Sequence, residues 1–241
     1  MTFHAFLAPL VNALLIVVSG VISFFTARTN FPEGIVSTSN SNMEQDSVFD
    51  GYKVAALLRR LPLPADLIPA ILDFADFTHR IPGAECSDHF RISQHQSGRI
   101  YIATRLSKVY PIALRAIHFT TTSRDQGYSW DTNNHGTYNG SWTWFDAGTL
   151  EDHQFNGEFN FLPSTRIAGK KICHNVHAGR EYKTHTITWR IDDPDEFIKA
   201  AFREVKSGKP IAVAVCAQFP AWVNDIQHAK IEFDIQPVRK V

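Results

Sequence analysis

The chain has 241 residues, enough for one large domain with appendages or two small ones, and 44% of them are hydrophobic, an ordinary content for a globular core. Lys and Arg together number 24, as do Asp and Glu, and no basic run concentrates positive charge, which excludes nucleic acid as a first reading. Three scattered cysteines, Cys86, Cys173 and Cys216, are too few for a disulfide framework and favour a thiol-reducing compartment, with one bridge and a leftover thiol as the alternative.

From Ala5 to Thr26 no residue carries a charge. At about 1.5 Å per helical residue the run is long enough to cross a hydrocarbon core roughly 30 Å thick. Residues 1–28 are therefore read as a transmembrane or signal-anchor helix, single-pass, and as the chain's attachment to a membrane. A cleaved signal peptide is the main rival. Against it stand the lack of Lys or Arg before the apolar run, its length, and mediocre small-residue cleavage sites. A helix buried in the globular domain would need a large surrounding core. Arg28 follows the run, so the positive-inside rule places the bulk of the chain in the cytoplasm. Residues 29–50, rich in Ser, Thr and Asn without periodicity, read as a flexible linker.

Residues 51–83 form the next unit. Leu67, Ile68, Ile71 and Leu72 fall near helical spacing after the start signal at Pro64, predicting a short amphipathic helix. The order Leu63-Pro64, Asp66, Leu67, Ile71-Leu72 also resembles the opening half of an F-box, the short helical motif that docks on the Skp adaptor of cullin ubiquitin ligases. That resemblance implies a ubiquitin-ligase adaptor as partner, with Leu61, Pro62, Leu67, Ile68, Ile71 and Leu72 as its contacts. Packing of the same stripe on a neighbouring sheet is the plainer alternative.

From residue 84 to 241 the period changes to two. Arg91-Ile92-Ser93 and Arg99 to Ala103 read as a hairpin over Gln96-Ser97-Gly98. Residues 112–122, 184–191 and 231–236 read as half-buried strands, and residues 211–217, apolar on both faces, as a central strand. Residues 195–205 look helical, with Phe197, Ala201, Phe202 and Val205 on one stripe. Short strands separated by turn signals predict a mainly β chain: an antiparallel, jelly-roll-like β-sandwich preceded by the transmembrane helix and the short helical segment.

The most distinctive stretch runs from Thr120 to Ala147 and holds three of the five tryptophans. Ser123-Arg124-Asp125-Gln126-Gly127-Tyr128-Ser129, then Gly136-Thr137-Tyr138 and Gly140-Ser141-Trp142-Thr143-Trp144-Phe145, is similar to the hallmark of a widespread, largely uncharacterised group of filamentous-fungal proteins. A second match, Gly208 to Val213 followed by Ala217-Gln218-Phe219-Pro220-Ala221-Trp222-Val223-Asn224, resembles that group's closing signature, with Ala221 standing where the group has glycine.

Several constellations invite chemistry. Cys173-His174-Asn175-Val176-His177 offers three metal-ligating side chains, but a structural zinc needs four and no second pair at zinc-finger spacing exists. Asp131 to Gly136 imitates the start of an EF-hand loop, yet the twelfth position is Trp142 rather than glutamate. Asp125, Ser129 and His135 lack a nucleophile elbow, and no phosphate loop or dinucleotide fingerprint is present. The pattern therefore argues against an enzyme and implies no catalytic residue, no metal and no cofactor. What remains is a rim of Arg124, Asp125, Gln126, Tyr128, Trp130, His135, Trp142 and Trp144, whose aromatic faces beside polar side chains suit a carbohydrate or protein ligand. Trp142 and Trp144, sharing one strand face, would otherwise be core, and Arg124 and Asp125 would pin the loop internally. Asn139-Gly140-Ser141 is a glycosylation sequon. The expectation is a membrane-tethered, non-catalytic recognition module; the rivals are an F-box-like adaptor and an accessory protein or enzyme of a fungal secondary-metabolite pathway.

Overall fold

A computed structural model describes residues 58–60, 64, 67–68, 71, 78–106, 112–155, 162–167 and 169–237. Ten strands, one α-helix and three short 3-10 turns make up the described elements, the strands and the α-helix being β1 (His79–Cys86), β2 (Phe90–Ser93), β3 (Arg99–Thr104), β4 (Ile112–Arg124), β5 (Thr143–Thr149), β6 (Leu162–Arg166), β7 (Lys170–His174), β8 (Lys183–Arg190), α1 (Glu196–Ser207), β9 (Ile211–Ala217) and β10 (Val223–Pro237). All pairings are antiparallel. The first sheet runs β1-β10-β4-β8 with β2 also on β10, and the second runs β6-β3-β9-β5-β7.

The two sheets face each other across one apolar core. β4 sends Ile117 and Phe119 inward, β10 sends Ala229, Ile231 and Phe233, and the second sheet answers with Phe145, Ala147, Val213 and Val215. Period-two alternation produces this, since successive side chains on a strand point to opposite faces. Outward positions of β4 pair with β8 in threonine contacts, Thr120 with Thr186 at 3.2 Å and Thr122 with Thr184 at 2.8 Å. β9 is buried at every position, as its doubly apolar sequence predicts. Its outer face is covered by a second cluster of Ile100, Ala103, Leu150 and Ala212.

Helix α1 adds Ile198, Ala201, Phe202 and Val205 to the main core. Asp195 caps it by accepting from the Phe197 and Ile198 amides, and Gly208, at φ 100°, closes it. The stripe differs from expectation by one residue. Phe197 is 37% exposed and rests edge-on against Trp189, while Ile198 takes the buried place.

Two further expectations are corrected. The hairpin over Gln96-Ser97-Gly98 does not exist: β2 belongs to the first sheet and β3 to the second, so this turn carries the chain between sheets. Gly98 makes the crossing at φ 81° and donates its amide to Val215 O at 2.9 Å on β9. Strand pairing also starts at His79, ahead of the boundary at residue 84, in a segment whose Pro82 and Gly83 hide it from pattern reading. A Cβ on Gly83 would lie 2.7 Å from the Phe233 ring, so close strand packing demands glycine there. No helix among the described residues is long and apolar enough to cross a membrane; residues 1–28 and the linker lie outside the described residues. Of the F-box-like positions, Ile68 is buried and Leu67 and Ile71 are half-buried, while Leu61, Pro62 and Leu72 lie outside the described residues.

Candidate functional site

At the end of the sandwich where β4 finishes and β10 begins, the inward face turns from apolar to polar. The alternation Ile117, Phe119, Thr121, Ser123 remains fully buried, but its last two members carry hydroxyls. Buried hydroxyls require partners. Ser123 Oγ donates to Asn175 Oδ1 at 2.6 Å, and Asn175 Nδ2 donates toward Asn224 Oδ1 at 2.9 Å, Thr143 Oγ1 at 3.0 Å and Arg124 O at 3.2 Å. Asn224 Nδ2 in turn reaches Trp144 O and Cys216 O, so four strands from both sheets are tied through two amides.

Above this network Asp125 holds the loop. Its carboxylate accepts from the Gly127 amide at 2.7 Å and the Ala178 amide at 2.6 Å. Burial pushes the Asp125 carboxyl above its ordinary range, against the pull of those two amides and of His177 and His135. Residues 128–142 then fold over the segment 175–179. The His177 amide donates to Thr137 O at 2.7 Å, and the Gly136 amide donates to His177 O at 2.9 Å. Gly136 and Gly140 turn with φ of 78° and 65°, angles that other residues adopt at a cost.

His177 sits under this loop, 1% exposed. Its Nδ1 lies 2.8 Å from Asn139 O, so Nδ1 carries a proton, and Nε2 is an acceptor when the ring holds that one proton. Nε2 is buried and has no partner. The ring meets Trp222 edge-to-face at 5.2 Å and tilts against His135 at 5.6 Å. His177 and Trp222 line a cleft of about 370 Å³ together with Gln126, Tyr128, Trp130 and Trp142. Trp130 is 89% exposed and stacks edge-on with Tyr128 at 5.5 Å, while Trp142 packs against Phe219 at 4.8 Å.

Three non-glycine residues have positive φ among the described residues, Ala178 at 54° and Phe219 and Ala221 both at 71°; Ala221 lines this cleft, and the other two adjoin the lining residues His177 and Pro220 in the chain. Such backbone costs energy and gathers where a site requires it. Ala221 holds a left-handed backbone that glycine would adopt without steric cost.

On the other side of Gln126, Asp225 is a hub. It receives His89 Nε2 at 2.6 Å, the Tyr182 hydroxyl at 2.8 Å, and Arg124 Nε and Nη2 at 3.2 Å each. Burial works to raise the Asp225 carboxyl, but the hydrogen bonds from Tyr182, His89 and Arg124 outweigh it and hold it below the usual carboxylate range. Arg124 also lies over the Tyr182 ring at 4.5 Å.

The structure thus brings Gln126, Tyr128, Trp130 and Trp142 together in one cleft, with His135 behind it donating from Nε2 to Ser129 O at 2.9 Å. Asp125 pins the loop, and Arg124 turns toward Asp225. Trp144 is not part of the cleft. It points to the outer face of the second sheet, where its Nε1 donates to Asp146 Oδ1 and Lys171 lies over its ring at 4.4 Å. Nor is the Trp142 and Trp144 face core: Thr143, Phe145 and Ala147 take that place. Asn139 is exposed, whereas Ser141 of the same sequon is buried. His177, Trp222, Asp225, Arg91 and Arg180 were missing from the rim read in the sequence, although Trp222 stands in the closing signature. The three cysteines are free, and no cluster of His, Cys, Asp or Glu that could hold a metal occurs among the described residues.

No family model, no curated protein and no solved structure matches this chain.

Proposed function

We propose that the sandwich is a non-catalytic recognition module that binds a carbohydrate in the aromatic cleft. The observation that carries this reading is His177 Nε2, a buried acceptor without a partner in the wall of that cleft. An unmade hydrogen bond at a buried group costs about 1–3 kcal/mol, which a ligand donor would recover. A sugar hydroxyl supplies that donor, while its C–H faces suit the flat sides of Trp130, Trp142 and Trp222. Glycoside hydrolysis ordinarily needs two carboxyl groups across the bond, and among the described residues Asp131 is the one carboxylate lining the cleft. Asp131 Oδ2 is moreover engaged by Asn134 Nδ2 at 2.6 Å.

The reading includes a jelly-roll-like topology for the sandwich, membership of the fungal group that the motifs resemble, and a tether through residues 1–28 with the bulk of the chain in the cytoplasm. Protease protection in intact microsomes, with a glycosidase shift on the same sample, checks the address. For the function, the purified full chain is applied to an oligosaccharide array and the hits are titrated calorimetrically. Trp130→Ala removes an exposed wall of the cleft without touching the core and is expected to weaken binding at least tenfold. His177→Phe keeps the ring packing but removes both ring nitrogens, the Nε2 acceptor together with the Nδ1 bond to Asn139 O, and is expected to do the same. Unchanged affinity in both variants, or no saccharide bound at millimolar concentration, refutes the reading.

A further inference from the structure

Gln126 lines a second cavity as well. This one measures about 290 Å³ and is walled by Arg91, Arg124, Arg180, Asp125, Asp225 and Gly127. Its lining holds three arginines and two aspartates, a formal excess of one positive charge. The carboxylates are also spoken for. Asp125 is bound by two backbone amides, and the acceptor positions of Asp225 are taken by His89, Tyr182 and Arg124. Arg91 reaches Asp225 only at 3.9 Å. Among the described residues no carboxylate lies within ion-pair distance of the Arg180 guanidinium. Its stem lies against Gly127, where a Cβ would meet Arg180 Cγ at 3.3 Å, and its carbonyl accepts from Arg124 Nη1 at 2.8 Å.

A guanidinium is planar, always charged and forked for bidentate pairing with an oxyanion. Two arginines without a close carboxylate partner, on the lining of a cavity with one excess positive charge, match a singly charged oxyanion better than a doubly charged phosphate monoester. Gln126 fixes the distance to the aromatic cleft, because its Oε1 accepts from the Val223 amide at 3.3 Å and its Nε2 donates to Tyr128 O at 2.7 Å.

We infer that the Arg91, Arg124 and Arg180 cavity is an anion subsite of the same binding site, taking the singly charged oxyanion of an acidic saccharide whose neighbouring ring occupies the aromatic cleft. The inference rests on the carbohydrate reading above. A uronate carboxylate and a sulfate ester share the required chemistry.

The test titrates the full chain with oligosaccharides of galacturonate, glucuronate and mannuronate, with the methyl esters of each, with sulfated galactose oligomers, and with neutral counterparts. The expected result is that an acidic form binds at least tenfold tighter than its neutral form. Arg180→Gln, at an exposed position, should erase that difference while leaving affinity for the neutral form unchanged. Preference for uronates over their esters assigns the oxyanion to a carboxylate; preference confined to the sulfated series assigns it to a sulfate ester. Equal affinity for acidic and neutral forms, lost together in Trp130→Ala, overturns the anion subsite and leaves the carbohydrate reading standing. Binding of no saccharide overturns both.

Discussion

Replacing Asn175 by Ala removes the amide at the centre of the buried polar end of the sandwich. Asn175 is fully buried and flanked by groups with few other options. Ser123 Oγ loses its acceptor, Asn224 Oδ1 and Arg124 O lose a donor, and Thr143 Oγ1 is left with a long contact of 3.5 Å to Ser141 Oγ. Each orphaned buried group costs about 1–3 kcal/mol, and water entering the vacated space recovers part of that. Counting Ser123 and Asn224 as the two severe cases gives a loss of about 2–6 kcal/mol before that recovery, a large share of the 5–15 kcal/mol typical of a domain. Urea denaturation followed by tryptophan fluorescence reads the change as a lower midpoint at unchanged slope. A loss below about 1 kcal/mol would refute the view that this network, rather than the apolar core beneath it, secures that end of the molecule.

Ala221→Gly should stabilise the chain by about 0.5–1 kcal/mol, because relief of the left-handed backbone exceeds glycine's entropic cost; an unchanged or lower urea midpoint contradicts the strain argument. Burial depresses the imidazoles of His174 and His185, seconded by Lys171 and Lys183 respectively, so the unfolded chain binds protons more readily than the fold. Their contribution is present above about pH 6.5 and is lost as pH falls through the folded values, so Tm should drop between pH 7 and pH 5. The double variant His174→Gln, His185→Gln should flatten that profile, and a wild-type profile already flat would sink the idea. Burial pushes the Cys173 thiol up to about 11 and raises that of Cys216 further, with Asp146 adding to the latter. Both should therefore resist a disulfide reagent at pH 8 in the folded chain and react on unfolding, checked by thiol titration and peptide mapping.

The sheets were largely legible because alternation is a local signal. β9 declared itself by being apolar throughout, and α1 by the stripe of Ala201, Phe202 and Val205. What sequence pattern missed is non-local. Whether β2 pairs with β3 or with β10 depends on the Gly98 turn and on residues more than a hundred positions away. The candidate cleft was half legible for the same reason. Gln126, Tyr128, Trp130 and Trp142 sit in one conspicuous stretch, but the opposite wall, His177 and Trp222, arrives from two other segments. Trp144 misled because two tryptophans at alternate positions look like a core face, while the inward positions here are Thr143, Phe145 and Ala147, with one aromatic among them. Asp225 and Arg180 carried no signal beyond residue type.

β10 also sets a timetable for synthesis. It is the partner of β1, β2 and β4, so two of the earliest strands have nothing to pair with until one of the latest is made. About 140 residues separate His79 from Val223, which at roughly 5–20 residues per second amounts to about 7–30 s on the ribosome. For that interval the apolar faces of β1 and β2 are open to solvent and to other nascent chains. A ribosome that stalls before residue 223 leaves a product in which β1 and β2 lack their partner strand.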